Sequence, residues 1–473
     1  MTTREAAINA ATSYFDAGEF KADLTESVAV RTSSREEEHQ GDLMRYLDKL
    51  MRSRFEAMGF TVEIHPNPLL DRARFLVAKR VEDPKLPTLF CYGHGDTVPG
   101  EEGQWNEDRD PWSLSVAHEA SGERWYGRGT ADNKAQHVIN MEAMRRVINT
   151  RGRLGYNVTF LIEMAEEMGS PGLAEFCAAN REMLSADLLI ASDGPRFSTD
   201  GPDIKLGTRG GLNLRFRLEY REGGHHSGNW GGLLANPAIV LMHALTTLVS
   251  RTGEVLHPGL KPTHIKNSVR DALSKVTVKS GPDDPKIDPW WGEPGLSGAE
   301  KVFGWNTFEV LSFITGDPEK PQNAVPPFAE AICQIRFVVD TDPDTFLPLI
   351  RQHLKDQGFD RITVEPARMS MLRASRLDPE HPAVAWAVKS MERTTGKNVT
   401  VIPNAGGSLP NDVFLNIIGM PTIWVPHSYT GCSQHAPNEH VLPFLMKEGL
   451  EMMTGLFWDL GDGFPASESI KPF

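Results

Sequence analysis

Residues 86–98 read L-P-T-L-F-C-Y-G-H-G-D-T-V, an apolar run that ends in two polar side chains. The run is typical of a buried β-strand, and the two-residue period of a strand places His94 and Asp96 on the same side. Further strands of this kind are predicted at 60–64, 74–80, 157–164 and 186–192, with helical patterns between them. Strands that alternate with helices predict an α/β fold around a mostly parallel sheet.

The pattern changes near Gly207, where apolar and polar residues alternate as they do in an antiparallel strand. Further strands and helices follow, and the α/β pattern returns after about Ala374. We therefore predict one α/β catalytic domain that is interrupted by a smaller α+β domain. The catalytic domain comprises residues 1–206 and 374–473, and the inserted domain comprises residues 207–373.

The composition excludes several classes of function. The chain has 473 residues, of which 40% are hydrophobic and 24% charged, as in ordinary globular proteins. Its formal net charge of -14 repels phosphate backbones, so we expect no nucleic-acid partner. The absence of a run of about 18 apolar residues and of a signal peptide predicts no membrane association. The 4 cysteines are far apart and show no C-x-x-C spacing, which argues against a disulfide framework. This cysteine usage suits a cytoplasmic location.

Side chains that bind metals occur in five places along the α/β part of the chain. They are His94 with Asp96, Asp132, Glu166 with Glu167, Asp193, and His435. Each cluster alone could be a polar turn, a helix cap or a loop histidine. Together they supply two imidazoles, three ligand carboxylates and one further glutamate. Five ligands with one shared carboxylate make two sites of three protein ligands each, which leaves positions for water, as catalytic zinc sites require.

The residue types also suggest which of these side chains bind metal and which transfer protons. His94 is a candidate ligand whose ring Asp96 could orient, because metal-bound imidazoles usually have such a partner. Asp132 could bridge two cations. Glu166 and Glu167 point apart on an extended backbone, so Glu167 could bind metal while Glu166 handles protons.

With these motifs in this order, the chain resembles the dinuclear zinc metallopeptidases that include aminoacylase, glutamate carboxypeptidase and carnosine dipeptidase. The motifs are most similar to those of the carnosine dipeptidase-like branch. The resemblance implies a zinc-peptidase-type catalytic domain, a lid and dimerisation domain at 207–373, and two Zn²⁺ per subunit, with Mn²⁺ or Co²⁺ as alternatives. It implies that His94 and Asp193 bind one metal and that Glu167 and His435 bind the other. Asp132 would bridge the two metals, and its peptide bond to Asn133 would be cis. Glu166 would be the general base, with Asp96 in support.

Motifs of the inserted domain extend the resemblance. Residues 224–232, G-H-H-S-G-N-W-G-G, resemble a segment whose histidine, here His226, reaches the active site of the neighbouring subunit and polarises the scissile carbonyl. This implies a homodimer that forms through the lid domain. The resemblance also implies that substrate is bound by Asn323, Arg336, Gly407 and Ser408.

Three positions depart from the branch. Asn404-Ala405 stands where carnosine dipeptidases carry Arg-Glu, and residues 435–439 read H-A-P-N-E where the branch has H-S-Q-N-E. Ala135 follows Lys134, where a glycine is usual. The first two departures weaken the case for carnosine-like dipeptides. Asp193 resembles aminopeptidase and dipeptidase members, since deacylases and carboxypeptidases more often carry glutamate there.

We expect the protein to hydrolyse a dipeptide-like amide bond with a metal-bridging water and Glu166 as the general base. One alternative is an amidohydrolase or deacylase that acts on an N-acyl amino acid or another non-peptide amide, such as an aryl amide. A second alternative is a non-catalytic binding protein on the same fold, which the complete ligand set argues against. The sequence leaves open the substrate, the physiological metal, the breadth of specificity and the role of the 281–298 loop.

Overall fold

The computed structural model describes residues 2–119, 122–278, 285–367 and 371–465. The chain divides into two compact units. The first comprises Met1–Gly207, Leu377–Ile402 and Leu409–Phe473, and the second comprises Thr208–Arg376 and Pro403–Ser408. Residues 281–284 of the loop at 281–298 lie outside the described part of the chain.

A sheet of eight strands, counted over the described residues, forms the centre of the first unit. In spatial order its strands are Thr61–Pro66, Arg74–Arg80, Asn157–Glu163, Thr88–His94, Leu188–Ala191, Thr422–Trp424, Asp203–Lys205 and Thr400–Ile402. Thr88–His94 runs parallel to both of its neighbours, and the next pair along the sheet is also parallel. The first three strands pair antiparallel at one edge. The predicted α/β fold with a mostly parallel sheet is confirmed.

Both faces of this sheet are buried. Leu89 and Cys91 belong to the core on one face, whereas Phe90 and Tyr92 belong to the core on the other. This explains why residues 86–93 form a nearly continuous apolar run, since a strand covered on both sides has no face left for polar residues.

Helices cover the sheet of the first unit. The long helices Ala135–Arg151 and Pro443–Asp462 pack against each other and against the first helix of the chain. The helices of this unit are Arg4–Asp16, Glu19–Val28, Gln40–Arg45, Tyr46–Met51, Arg52–Glu56, Thr130–Lys134, Ala135–Arg151, Leu173–Ala179, Arg181–Leu184, Pro382–Thr395, Val413–Ile418 and Pro443–Asp462, with short 3₁₀ turns at Glu37–His39, Asn106–Asp108 and Glu166–Met168. None of the helices in the described residues is both long and apolar enough to cross a bilayer.

Small sheets in the first unit fix the loops at its edge. Gly122–Tyr126 pairs with Ser115–Glu119 and with His440–Val441. Pro195–Arg196 pairs with Ser428–Tyr429. These pairings bring the C-terminal segment 428–441 beside segments that lie more than two hundred residues earlier in the sequence.

The second unit is built on an antiparallel sheet. Its strands are, in spatial order, Thr307–Ile314, Phe328–Phe337, Gly210–Glu219 and Thr363–Pro366. Alternate residues of Gly210–Glu219 are buried, as the sequence pattern predicts. The helices are Ser227–Trp230, Pro237–Leu245, Asn267–Leu273, Gly298–Phe303 and Phe346–Asp356, with 3₁₀ turns at Pro258–Leu260 and Pro343–Thr345. A short pair joins His225–His226 to Ala324–Val325.

The segment Pro403–Ser408 belongs to the second unit by its contacts, whereas the sequence-based division placed it in the catalytic domain. The backbone N–H of Arg209 donates to the carbonyl of Ala405 at 3.1 Å. The side chain of Asn404 donates to the carbonyl of Phe303 at 2.7 Å. These long-range hydrogen bonds have no local sequence signature.

Candidate metal centre

Three neighbouring strands of the first unit deliver polar side chains to one edge of the sheet. His94 is the last residue of its strand, and Glu166 and Glu167 follow the end of the adjacent parallel strand Asn157–Glu163. Asp193 follows the end of Leu188–Ala191 on the other side. Because the carboxyl ends of parallel strands meet at one edge, sites in open α/β sheets are expected there.

Two further side chains reach this edge from turns. Asp132 lies in the turn Thr130–Lys134, which leads into the helix Ala135–Arg151. Its peptide bond to Asn133 is cis, as the resemblance implies. His435 lies in a loop in which Ser433, His435 and Asn438 all have positive φ.

The five predicted ligands form two groups that share Asp132. One group contains His94, Asp132 and Asp193, and the other contains Asp132, Glu167 and His435. Nε2 of His94 lies 2.9 Å from Oδ1 of Asp132, and Nε2 of His435 lies 2.9 Å from Oδ2 of the same carboxylate. The two oxygens of Asp132 therefore face different groups, which is the arrangement of a bridging ligand.

The spacing within each group fits a metal ion. Nε2 of His94 is 3.6 Å from Oδ2 of Asp193, and Nε2 of His435 is 3.2 Å from Oε2 of Glu167. Two ligands that are each about 2.0 Å from a tetrahedral zinc ion lie about 3.3 Å apart. Oδ2 of Asp193 and Oε1 of Glu167 are buried without a hydrogen-bond partner in the described residues. Such acceptors favour a cation as the missing partner.

The pKa shifts in this cluster are those of buried carboxylates that lie close together. Burial raises the pKa of Glu167 to about 7 and that of Asp193 to about 6, and the carboxylate of Asp132 adds to both shifts. Hydrogen bonds to Asp132 and Glu167 raise the pKa of His435 to about 10. A metal ion bound here would supply positive charge to these carboxylates and would displace the proton of His435.

Glu166 lies beside both groups but belongs to neither. Its Oε2 is 3.9 Å from Nε2 of His94, and its side chain is 18% exposed. Burial raises the pKa of Glu166 well above the usual range, and the neighbouring carboxylates of Asp193 and Asp132 raise it further. A buried carboxyl group that has a raised pKa and lies next to a cation site is suited to proton transfer.

Asp96 is fully buried and organises the backbone around the ligands. Its carbonyl oxygen is 3.0 Å from Nδ1 of His94, which leaves Nε2 to face the ligand group. Its carboxylate accepts hydrogen bonds from the backbone N–H groups of Glu166 at 3.1 Å and Glu167 at 3.2 Å. Asp96 thus fixes one ligand ring and the turn that carries both glutamates.

Glu439 has a supporting role that the sequence did not predict. Its buried carboxylate accepts from the backbone N–H groups of Gly129, Ala131 and Asp132 at 2.8–3.1 Å and from Nη1 of Arg128 at 2.9 Å. Four donors on one carboxylate hold the turn that carries Asp132. The spacing H-A-P-N-E could have drawn attention to Glu439, but no local pattern connects it to a turn 307 residues away.

The second unit contains the predicted substrate residues. Nη1 of Arg336 donates to Oγ of Ser408 at 2.9 Å, which places Gly407 next to the same contact. His226 and Asn323 are exposed, and the backbone carbonyl of Asn323 accepts from the backbone N–H of Ser227 at 2.8 Å. Within this unit the structure therefore places Arg336 beside Gly407 and Ser408, and it places Asn323 beside the segment that contains His226.

The sequence matches the family model described as peptidase family M20/M25/M40 over residues 90–459. It is 30% identical to the Beta-Ala-His dipeptidase of Homo sapiens over 93% of this chain and 90% of that protein. It is 28% identical to the cysteinylglycine-S-conjugate dipeptidase of Corynebacterium striatum over 78% of this chain and 79% of that protein.

Solved structures match the fold in the same way. The crystal structure of human carnosine dipeptidase 1 matches with a TM-score of 0.76 and 20% identity, over 97% of this chain and 99% of that one. The resemblance inferred from the motifs is confirmed, and so is the prediction of a metal-dependent peptidase. On these grounds the chain belongs to peptidase family M20/M25/M40.

Proposed function

We propose that the protein is a dinuclear metallopeptidase that cleaves dipeptides. The observation that carries this proposal is the shared position of Asp132 between two groups of three ligands, with Glu166 beside both. Three protein ligands per metal leave coordination positions for water and substrate, which distinguishes a catalytic site from a structural one. The dipeptidase names of the relatives support the choice of substrate.

We assign the ligands as the resemblance implies. His94 and Asp193 would hold one Zn²⁺, Glu167 and His435 would hold the other, and Asp132 would bridge them. Mn²⁺ or Co²⁺ could take the same places, because imidazole and carboxylate ligands suit several divalent metals. When bound, the two cations would polarise the substrate carbonyl and lower the pKa of a bound water toward about 7.

The protein groups supply proton transfer and positioning. Glu166 takes a proton from the attacking water at a carboxylate oxygen and returns it to the nitrogen of the leaving amine. Asp96 acts through other residues, since its buried carboxylate holds the N–H groups of Glu166 and Glu167. Glu439 holds the turn of Asp132 in the same way.

In the second unit we propose that Arg336 and Ser408 bind the carboxylate end of the substrate, with Gly407 and Asn323 in further contact. A guanidinium group binds a carboxylate through two parallel hydrogen bonds, and the hydroxyl of Ser408 already lies 2.9 Å from Nη1 of Arg336. His226 would donate to the oxyanion of the tetrahedral intermediate in the active site of the partner subunit. Its exposed position supports a role outside its own subunit.

We propose a homodimer that forms through the second unit. Thr307–Ile314 is the edge strand of its sheet and exposes Val310, Leu311 and Ile314. The helix Pro237–Leu245 exposes Ile239 and Met242. Exposed apolar side chains on an unpaired edge strand favour association with another chain.

A second candidate function is hydrolysis of an N-acyl amino acid or an aryl amide. The observation that favours it is the side chain of Asn404, which is fully buried and donates to the carbonyl of Phe303 at 2.7 Å. Asn404 and Ala405 are uncharged where carnosine dipeptidases carry Arg-Glu. The loop next to Ser408 thus lacks charges that a dipeptide could use.

We also infer a cytoplasmic location. The four cysteines are free and buried in the described residues. Free thiols in all four positions suit a reducing compartment.

The test is turnover of a substrate panel by the metal-loaded protein. The panel contains dipeptides, N-acyl amino acids and aryl amides, and a chelated sample is the control. We expect dipeptide cleavage that chelation abolishes and that added Zn²⁺ or Mn²⁺ restores. Cleavage of acyl or aryl amides alone would replace dipeptides with the second candidate, and turnover that survives complete metal removal would contradict both.

A further inference from the structure

We propose that Arg209 is a second carboxylate-binding residue, which together with Arg336 holds the C-terminal carboxylate of the substrate. This inference rests on the proposed function. It limits the substrates to amides that carry a free carboxylate, namely dipeptides or N-acyl amino acids, and excludes aryl amides and C-terminally blocked peptides.

The first observation is a buried guanidinium group in which two nitrogen atoms have no hydrogen-bond partner in the described residues. Arg209 is only 9% exposed. Its Nε and Nη1 atoms are buried and have no hydrogen-bond partner in the part of the chain that the structure describes. A buried charge without hydrogen bonds is costly, so such a group favours a ligand that supplies the missing acceptors. The two atoms that lack partners are N–H donors, so the ligand that binds them must offer an anionic group or a carbonyl oxygen as the acceptor.

The second observation is the position of Arg209 beside the predicted substrate residues. Oγ of Ser408 donates to the carbonyl of Arg209 at 3.4 Å and accepts from Nη1 of Arg336 at 2.9 Å. Ser408 thereby joins the backbone of Arg209 to the guanidinium group of Arg336. Burial lowers the pKa of Arg209 to about 10, and the nearby charge of Arg336 contributes to the shift.

Two glycines next to Arg209 keep the space around these arginines open. Gly211 is the register partner of Arg336, and a β-carbon at Gly211 would lie 3.4 Å from Nη1 of Arg336. A β-carbon at Gly210 would lie 2.2 Å from the ring of Phe337 and would displace the strand. The stretch Arg209-Gly210-Gly211 therefore brings backbone close to Arg336 without a side chain that could cover it.

The charges favour an occupant with one negative charge. Glu309 is the carboxylate whose charge acts on Arg209, but no ion pair within 4.0 Å joins the two in the described residues. A carboxylate would supply the negative charge and the acceptors that Nε and Nη1 of Arg209 lack, and it can accept hydrogen bonds on both oxygens from two guanidinium forks. A neutral amide offers one acceptor oxygen and no charge.

The experiment compares L-Ala-L-Ala with its C-terminal amide in the metal-loaded wild type and in Arg209→Met. We expect the wild type to prefer the free carboxylate, and we expect Arg209→Met to reduce this preference by about tenfold or more, mainly through KM. Arg209→Lys keeps the charge but not the fork, so it should retain part of the preference. Arg215→Met is the matched control, because Arg215 lies on the strand that directly follows Arg209, and its side chain is 44% exposed and pairs with Glu330.

A binding measurement separates this inference from the proposed function. Saturation-transfer NMR on the metal-free protein reports binding of the same two peptides without turnover. Wild-type binding of the peptide but not of the amide, lost in Arg209→Met and kept in Arg215→Met, supports the inference even if no dipeptide is hydrolysed. The inference is overturned if Arg209→Met keeps the full preference, or if it weakens peptide and amide equally, as a purely structural residue would.

Discussion

Oε1 of Glu439 accepts a hydrogen bond from the backbone N–H of Asp132 at 3.1 Å. The same carboxylate also accepts from Gly129, Ala131 and Arg128. A carboxylate satisfied by four donors is a rigid support. The position of the bridging aspartate thus depends on a residue that touches neither predicted metal position.

We predict that Glu439→Gln weakens metal binding without removing a ligand. The amide can accept on only one atom, so at least one of the buried N–H groups loses its acceptor, and Arg128 loses the charge of its nearest carboxylate. Metal affinity should fall by about 10- to 100-fold, as for other supports of metal ligands, and stability should fall by about 3–5 kcal/mol. Metal titration and urea unfolding measure the two effects. Glu63→Gln, at a side chain that is 72% exposed, is the control, and equal metal affinities of the two variants would contradict the supporting role.

We predict that Glu166→Gln and Glu167→Gln separate catalysis from metal binding. Glu166 belongs to neither ligand group, so Glu166→Gln should retain both metals while kcat falls by about 10²–10⁴-fold. Glu167→Gln removes a charged ligand and should lower the metal content to about one ion per chain. Kinetics and elemental analysis on the same samples measure both quantities. Near-wild-type turnover in Glu166→Gln would exclude it as the general base.

We predict that metal removal lowers thermal stability. Without cations, the carboxylates of Asp132, Glu167 and Asp193 remain buried next to one another, and a ligand that binds only the folded state stabilises it. Excess chelator should therefore lower Tm by several degrees, and added Zn²⁺ should restore it. The control is Asp132→Asn, which lacks the charge of the shared ligand. Chelator should lower the Tm of this variant much less than that of the wild type. A Tm that does not change on chelation would argue against a metal pair at this place.

We predict that His226 acts in the partner subunit. His226→Ala should lower kcat by about 10²–10³-fold, the usual effect of losing an oxyanion donor, and should leave the metal content unchanged. Mixing inactive His226→Ala with inactive Glu166→Gln, with exchange of subunits, tests the action between subunits. Each mixed dimer then has one site with both residues intact, so activity should return to about a quarter of the wild-type value. No recovery in a mixture that has been shown to exchange would mean that His226 does not act across a dimer.

Much of the fold and the membership of the candidate site could be predicted because both depend on local patterns. Residues 89–92 are all apolar since their strand is buried on both faces, and His94 and Asp193 lie at or just after the ends of strands. The contacts that support the site from distant segments could not be predicted. No local pattern identifies the partners of Glu439 or Arg209, because their surroundings arise only when the chain folds back on itself.

One loop near the C-terminal end approaches Asp132 from two directions. His435 lies 2.9 Å from its carboxylate, and Glu439, four residues later, holds its backbone. A shift of this loop would move His435, a proposed ligand of one cation. It would also move Asp132, the proposed ligand that both cations share. Loading of the two positions should therefore be cooperative, and half-metallated protein should be a minor species.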